Sequence, residues 1–279
     1  MTDTSLDIDR AGDRPKPLLR ATSPIWHRPA VVSALLLPTT LILWEALVYW
    51  LQVPRIIMPA PSEIGVSLWN NLVSVDFYRH VWVTAIEALF GFALGAIIGF
   101  VLGAIIGQSP FLEKVFYPYI IAFETLPKVA FAPLVLVWFG YDMTSKVVIT
   151  AMISLFPLLA NTIVGLRATD QDQIDLFRAF CGSRWAIFWR LRLPNALPYI
   201  FVGLNVSLIF SLTGAIIGEF VGSREGLGYL IMMRNQTLNI PSVFSILVVL
   251  GALGCFFHYV LHVIQRRVLF WAPGVRYNG

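Results

Sequence analysis

Charged residues are scarce in this 279-residue sequence, which contains 13% Asp, Glu, Lys and Arg and 57% hydrophobic residues. Soluble domains carry roughly 25% charged residues, so the composition excludes an ordinary soluble protein. The mean hydropathy of +0.74 is typical of a chain that crosses a membrane several times. Because helices satisfy their own backbone hydrogen bonds in lipid, we predict an all-α polytopic membrane protein whose first partner is the lipid bilayer.

Several kinds of functional site are also missing from the sequence. Only Cys181 and Cys255 are present, which excludes a disulfide framework. No G-x-x-x-x-G-K-[ST] phosphate loop occurs, so the chain is not expected to hydrolyse ATP or to hold a cofactor itself. The positive charges form no basic face with stacking aromatics, which argues against nucleic acid. His258 and His262 stand four apart without a nearby carboxylate or thiol, so we predict no metal site.

Hydrophobic runs long enough to cross a bilayer occur six times. They lie at about 31–51, 81–107, 116–139, 147–166, 197–218 and 241–264. Six crossings place both ends of the chain on one side. That side has fourteen Lys and Arg residues against five on the other, so the positive-inside rule puts both termini in the cytoplasm.

This topology divides the chain into segments with different roles. A polar, disordered tail is predicted over 1–30, where no short apolar segment with a cleavage site indicates a signal peptide. The first transmembrane helix follows over 31–51 and an external connector over 52–80. The core then spans 81–270 and includes a long polar loop at 170–198, before a second cytoplasmic tail at 271–279.

A stripe of glycines is the most regular pattern in the second hydrophobic run. Its members recur every four residues: Gly91, Gly95, Gly99, Gly103 and Gly107. Overlapping GxxxG units let a second helix approach closely in a membrane, where small residues drive association. We therefore predict a helix-packing face, whose partner helix belongs either to this chain or to a second copy of it.

The third hydrophobic run is interrupted by three prolines, namely Pro118, Pro127 and Pro133. Broken helices are tolerated where they line a cavity or are buried in protein. Glu124 and Lys128 stand four apart in this run and share one helical face. They are predicted to face a translocation pathway, and the alternative is an internal pair that neutralises itself.

Two polar residues in later hydrophobic runs complete the set of candidate pathway residues. Asn161 lies in the fourth run and Glu219 follows the fifth. Ionisable groups at membrane depth often bind or relay ions. The sequence alone therefore leaves open a secondary transporter or channel that uses Glu124, Lys128 and Glu219. A membrane enzyme is a weaker alternative, because no nucleophile and base pair stands out.

The loop at 170–198 is longer than a simple connection between two helices requires. Ile174, Phe177 and Phe180 recur three apart, and the aromatic residues from Trp185 to Trp189 form a second apolar face. Gly182 relaxes the backbone between the two halves. Ser183 is placed to cap the second half. We predict a loop that binds a partner protein, and the alternative is an amphipathic segment resting on lipid headgroups.

This loop resembles the cytoplasmic EAA loop of bacterial ABC importer permeases. The resemblance matches Ser183-Arg184-Trp185 and Leu191-Arg192-Leu193-Pro194, which places Asp175 at the acidic position. Two departures are visible. Leu176 and Phe177 stand at the family's alanine pair, and Cys181-Gly182 replaces its Gly-Ala pair, so the tight break has moved by one residue.

Other segments are similar to the nitrate, sulfonate and taurine branch of these permeases. They are WFGYDMTSKVVI at 138–149, LFPLLANTIVGLRA at 155–168 and GAIIGEFVGSREGLGYLI at 214–231. The similar segments together cover roughly residues 55–272. PKVAFAPL at 127–134 and GLNVS at 203–207 resemble members that carry hydroxymethylpyrimidine or riboflavin.

The resemblance implies a type I ABC importer permease fold and a homodimer in the bacterial inner membrane. It also implies two ATPase subunits, which hold ATP and Mg²⁺, and a periplasmic or lipid-anchored solute-binding protein that delivers a small organic or oxyanion solute. Carried over position by position, it implies the following ATPase-coupling residues: Asp175, Phe177, Arg178, Ala179, Cys181, Gly182, Ser183, Arg184, Trp185, Leu193 and Pro194.

Overall fold

The computed structural model describes residues 29–180 and 182–271, with side chains described from residue 35 onwards. Cys181 and nearly all of both predicted tails lie outside the described residues. Every regular element in the described part is helical, which confirms the predicted all-α class. The chain divides into two units at residues 47 and 48. The first unit contains most of α1 (Pro29–Trp50), whose described apolar portion begins at Leu35.

The second unit contains the remaining helices. In chain order these are α2 (Pro61–Val73), α3 (Val75–Gly107), α4 (Pro110–Thr125), α5 (Ala132–Phe139), α6 (Met143–Arg167), α7 (Gln171–Ala179), α8 (Arg184–Ile187), α9 (Leu193–Gly222), α10 (Leu227–Gln236) and α11 (Ile240–Val268). A 3₁₀ turn at Lys128–Phe131 precedes α5, and a π turn at Phe188–Arg192 joins α8 to α9.

Four helices in the described part are long and apolar enough to cross a membrane on their own. They are α3, α6, α11 and the continuous segment Arg184–Gly222 that ends in α9. A fifth crossing is made if α4 and the segment Lys128–Phe139 act as one span bent by 80°. The described portion of α1, Leu35–Trp50, is apolar as well, and these elements coincide with the six predicted hydrophobic runs.

Helix α6 lies at the centre of the second unit, between α3 and α9. Its neighbour α3 runs parallel to it, because Gly99 of α3 lies beside Leu155 and Gly103 beside Leu159. Helix α9 runs antiparallel, because Gly218 near its end packs on Lys146 at the start of α6. Small residues on both sides let the three backbones approach closely.

The prediction that three prolines interrupt the third hydrophobic run is wrong, because only one of them breaks a helix. Pro118 lies inside α4, which continues to Thr125. The break occurs at Leu126, whose ψ of 137° is extended, because a residue before proline is pushed out of the helical region. Pro133 sits in the first turn of α5, where a missing N–H donor costs nothing. Pro127 alone therefore ends a helix.

The predicted connector at 52–80 is largely helical. It contains α2, and α3 begins at Val75, six residues before the predicted span at 81–107. The Asn71 side chain of α2 donates a hydrogen bond to Ser245 Oγ of α11 at 2.8 Å. Helix α2 therefore packs against the core of the second unit.

Candidate functional site

The loop between α6 and α9 is built from two capped helical pieces. Asp170 accepts a hydrogen bond from the N–H of Asp172 at 3.2 Å and caps α7. Ser183 accepts one from the N–H of Ala186 at 3.1 Å and caps α8, which confirms the predicted cap. Each cap satisfies a backbone donor that the first turn leaves unpaired. The caps thus fix where α7 and α8 begin within the loop.

Gly182 sits at the tight break between these pieces. Its N–H donates to the carbonyl oxygen of Phe177 at 2.9 Å. A Cβ atom on residue 182 would lie 2.7 Å from that same oxygen, closer than real side chains come to a backbone atom. Glycine is therefore required for this geometry. The preceding Cys181 is outside the described residues, and its coupling role stays a prediction.

The apolar face of α7 differs from the predicted one. Ile174 is 3% exposed and anchors α7 to the protein, whereas Leu176 is 57% exposed and Phe180 is 80% exposed. Phe177 is only partly exposed. The predicted face of Ile174, Phe177 and Phe180 is therefore split, because one edge of the helix packs inward. Leu176 and Phe180 form the outward apolar surface.

The aromatic residues that follow form a second outward surface. Trp185 is 68% exposed, and its ring centroid lies 5.6 Å from that of Trp189 and 6.1 Å from that of Phe188. Phe188 is buried and its ring contacts both tryptophans. The π turn at Phe188–Arg192 carries this cluster directly into α9. A displacement of these aromatic rings is therefore transmitted to α9 without an intervening flexible loop.

Charged residues flank this surface. Asp175 and Arg178 form an ion pair at 3.0 Å in which both side chains are more than half exposed. Such a surface pair contributes at most about 1 kcal/mol, so both groups can rearrange when a partner binds. The other predicted coupling positions are exposed at Ala179, Ser183 and Arg184, and partly exposed at Leu193 and Pro194.

Glu124 and Lys128 line a cavity of about 200 Å³ at the bend after α4. Lys128 Nζ donates to the backbone carbonyl of Glu124 at 3.0 Å and lies 5.0 Å from the centre of the Phe156 ring. No ion pair in the described part joins the two side chains. They also do not share a helical face, because α4 ends between them. The predicted shared helical face is therefore wrong, and the alternative of an internal Glu–Lys ion pair is not formed by these two side chains.

The other two candidate pathway residues lie elsewhere. Asn161 donates to the carbonyl oxygen of Pro157 at 2.8 Å and faces Gly203 of α9. Glu219 is 1% exposed and accepts hydrogen bonds from the Thr84 hydroxyl at 2.6 Å and from the N–H of Gly228. Through these two hydrogen bonds, Glu219 of α9 links α3 to the start of α10. The structure brings Glu124 and Lys128 together but places neither Asn161 nor Glu219 in their cavity.

Sequence reasoning overlooked a second buried polar cluster near Glu219. Lys146 Nζ lies 3.4 Å from Glu87 Oε1, and both side chains are buried. His80 Nδ1 accepts the N–H of Gly226 at 2.9 Å. A cavity of about 810 Å³ opens beside Glu87 and Lys146. The available signal was Glu87 inside the second hydrophobic run and Lys146 just before the fourth, since opposite charges at membrane depth usually occur in pairs.

The glycine stripe of α3 faces α6 of the same chain. Cβ atoms added at Gly95, Gly99 and Gly103 would lie 2.7 to 2.9 Å from backbone carbonyl oxygens of α6. Gly91 and Gly107 contact α6 as well. The structure thus places the stripe within one subunit, where the sequence left open a second copy.

Comparisons with known proteins agree with this architecture. A family model described as binding-protein-dependent transport system inner membrane component matches residues 95–270. A riboflavin transport system permease protein from Chloroflexus aurantiacus is 34% identical over 96% of this chain and 98% of its own length. A putative aliphatic sulfonates transport permease protein from Bacillus subtilis is 29% identical over 95% and 98%, respectively.

Two further matches extend the comparison. A formylaminopyrimidine transport permease protein from Halalkalibacterium halodurans is 29% identical over 83% of this chain and 92% of its own length. Among solved structures, a chain of the inward-facing MetNI methionine ABC transporter matches with a TM-score of 0.60 and 20% identity. That match covers 68% of this chain and 95% of the other, and at this identity it shows a shared fold.

Proposed function

Because this chain belongs to the family of binding-protein-dependent transport system inner membrane components, we propose that two copies of it form the pathway and dock on two ATPase subunits through residues 170–198. The chain itself is the transmembrane permease subunit of an ABC importer. It has the type I importer permease fold, lies in the inner membrane and is not an enzyme. This assignment decides against the alternative of a secondary transporter or channel.

The exposed apolar surface of the loop carries the proposal for docking. Leu176, Phe180, Trp185 and Trp189 all point outward from a loop that Ile174 and Phe188 hold against the protein. Aromatic anchors on a rigid base are typical of binding hot spots. The solute-binding protein that the family requires meets the opposite face of the membrane. ATP and Mg²⁺ bind the ATPase, and we propose no cofactor in this chain.

Alanine substitution of the exposed anchors tests the docking proposal. Phe180→Ala and Trp185→Ala should each weaken binding of the ATPase subunit about thirtyfold or more, because a truncated hot-spot aromatic costs ~2 kcal/mol or more. Co-purification from membranes followed by a titration with the ATPase measures this. Phe256→Ala, which removes a ring that is 60% exposed on α11, is the matched control. Equal binding by all three variants and the parent chain contradicts the docking surface.

The cavity at the bend supports a proposal for the pathway and its cargo. Its lining combines the charges of Glu124 and Lys128 with Thr213 and the rings of Phe156 and Phe210. Aromatic faces with both a donor and an acceptor suit a flat heterocycle. A carboxylate in the lining disfavours a simple oxyanion. We therefore place a heterocycle first, as for the riboflavin and formylaminopyrimidine permeases, and an aliphatic sulfonate second. Binding of each class to the cognate solute-binding protein distinguishes them.

Cysteine accessibility tests whether this cavity belongs to the pathway. In a chain without Cys181 and Cys255, a single cysteine at Glu124 or Lys128 should react with a water-soluble thiol reagent, and added cargo should slow the reaction. A cysteine at Leu247, which is exposed on α11 where lipid is expected, should stay unreactive. Protection of both cavity positions in every nucleotide state contradicts the pathway assignment.

A further inference from the structure

A cavity lined by the loop at 170–198 contains several positive charges. Its volume is about 560 Å³, and it is lined by residues of the loop and by Gln108, just after α3. Arg178, Arg184 and Arg192 line it, and its lining residues include no Asp or Glu. Three cations thus face one space, and none of the described residues that line it carries a negative charge.

The positive charges are only partly neutralised by the described protein. Arg178 pairs with Asp175, which is not part of the cavity lining. No ion pair in the described chain involves Arg184 or Arg192. Arg192 Nε is closed off from solvent and has no hydrogen-bond partner among those residues. A buried donor without a partner is costly, and an anion in the cavity would offset the unpaired guanidinium charge of Arg192.

We propose that this cavity binds a phosphate group, held by Arg184 and Arg192 and assisted by Arg178. A guanidinium presents a planar fork of N–H donors that matches phosphate oxygens. The volume exceeds that of a bare phosphate, and Ile174 and Ile187 add apolar wall. The charge count places the loop in the cytoplasm, where basic pockets of membrane proteins bind anionic lipid headgroups.

A bound phosphate would connect the end of α3 to both halves of the loop. Gly182 and Phe188 also line the cavity, so a bound phosphate would stabilise the loop on the side opposite to its exposed aromatic residues. The phosphate can come from an anionic phospholipid of the inner leaflet or from a soluble ion. This inference goes beyond the proposed transport function, and it can be tested on the isolated chain without ATPase or cargo.

Ligand titration of the delipidated full-length chain in a neutral detergent tests the site. Short-chain phosphatidylglycerol, short-chain phosphatidylcholine and inorganic phosphate are added separately, at constant ionic strength, and followed by calorimetry. Phosphatidylglycerol should bind with saturation. Arg184→Gln and Arg192→Gln should each weaken that binding about tenfold or more, since each loses a charge-assisted contact. Arg184 is exposed, so its variant remains informative if the Arg192 variant misfolds.

Arg190→Gln is the matched control, because Arg190 is exposed on the same π turn and is not part of the cavity lining. Tight binding of phosphatidylglycerol and weak binding of inorganic phosphate identify a lipid headgroup as the source. Equal binding of both identifies a soluble phosphate. The proposal is wrong if phosphatidylcholine binds as tightly as phosphatidylglycerol or if Arg190→Gln loses as much affinity as Arg184→Gln. It is also wrong if none of the three probes binds the parent chain.

Discussion

Replacing Gly99 with leucine is expected to remove nearly all folded permease from the membrane. A Cβ at residue 99 would already lie 2.7 Å from the Leu155 carbonyl oxygen of α6, and that atom cannot move without its helix. Gly95 and Gly103 hold the same two helices equally close on either side. An added methyl in a tight contact costs about 1–3 kcal/mol, and a leucine side chain must separate α3 from α6 altogether. Yield and thermal stability in detergent measure the effect.

A matched control separates helix packing from a general intolerance of leucine for glycine. Gly251 lies inside α11, and no atom is within 4 Å of a Cβ added there. Gly251→Leu should therefore assemble and unfold as the parent chain does. Gly99→Ala should fall between the two, with a lower unfolding temperature and reduced yield. If Gly99→Leu assembles with unchanged stability, α3 does not pack on α6 through this stripe.

Replacing Gly182 with tryptophan should leave the subunit in the membrane but abolish substrate-stimulated ATP hydrolysis and uptake. The Phe177 carbonyl oxygen occupies the space that any side chain at residue 182 needs. The change therefore breaks the turn between α7 and α8 and disturbs Phe180 and Trp185 on either side of it. The packing of α3, α6 and α9 does not involve residue 182, so insertion should persist. Reconstituted vesicles with the ATPase and solute-binding protein measure coupling.

Gly251→Trp serves as the control for this second substitution, since it places the same bulk where nothing is in contact. It should retain coupled uptake. Basal ATP hydrolysis by the separate ATPase subunit should be the same with either variant, because the substitution alters transmission and not the nucleotide site. Normal coupled uptake by Gly182→Trp would show that the loop does not carry the motion.

Local patterns in the sequence determined the all-α class, the positions of the hydrophobic runs and the presence of helical pieces in the long polar loop at 170–198. Hydropathy and charge distribution are properties of neighbouring residues. In a bilayer, an apolar run of sufficient length forms a helix, and the charges beside it favour one orientation of that helix. The four-residue spacing of Gly91 to Gly107 likewise defines one face of one helix. Ser183 was identified as a cap from its position before an apolar segment, because capping also acts within one turn.

Contacts between distant residues were decided only by the tertiary structure. The partner of the glycine stripe is α6, which begins 36 residues after Gly107, and no local rule selects it. Glu219 binds Thr84, and Lys146 pairs with Glu87, because folding brings three helices to one place. Packing also turned Ile174 inward and left Leu176 outside. Arg178, Arg184 and Arg192 surround one cavity because α7, α8 and the π turn fold back on one another.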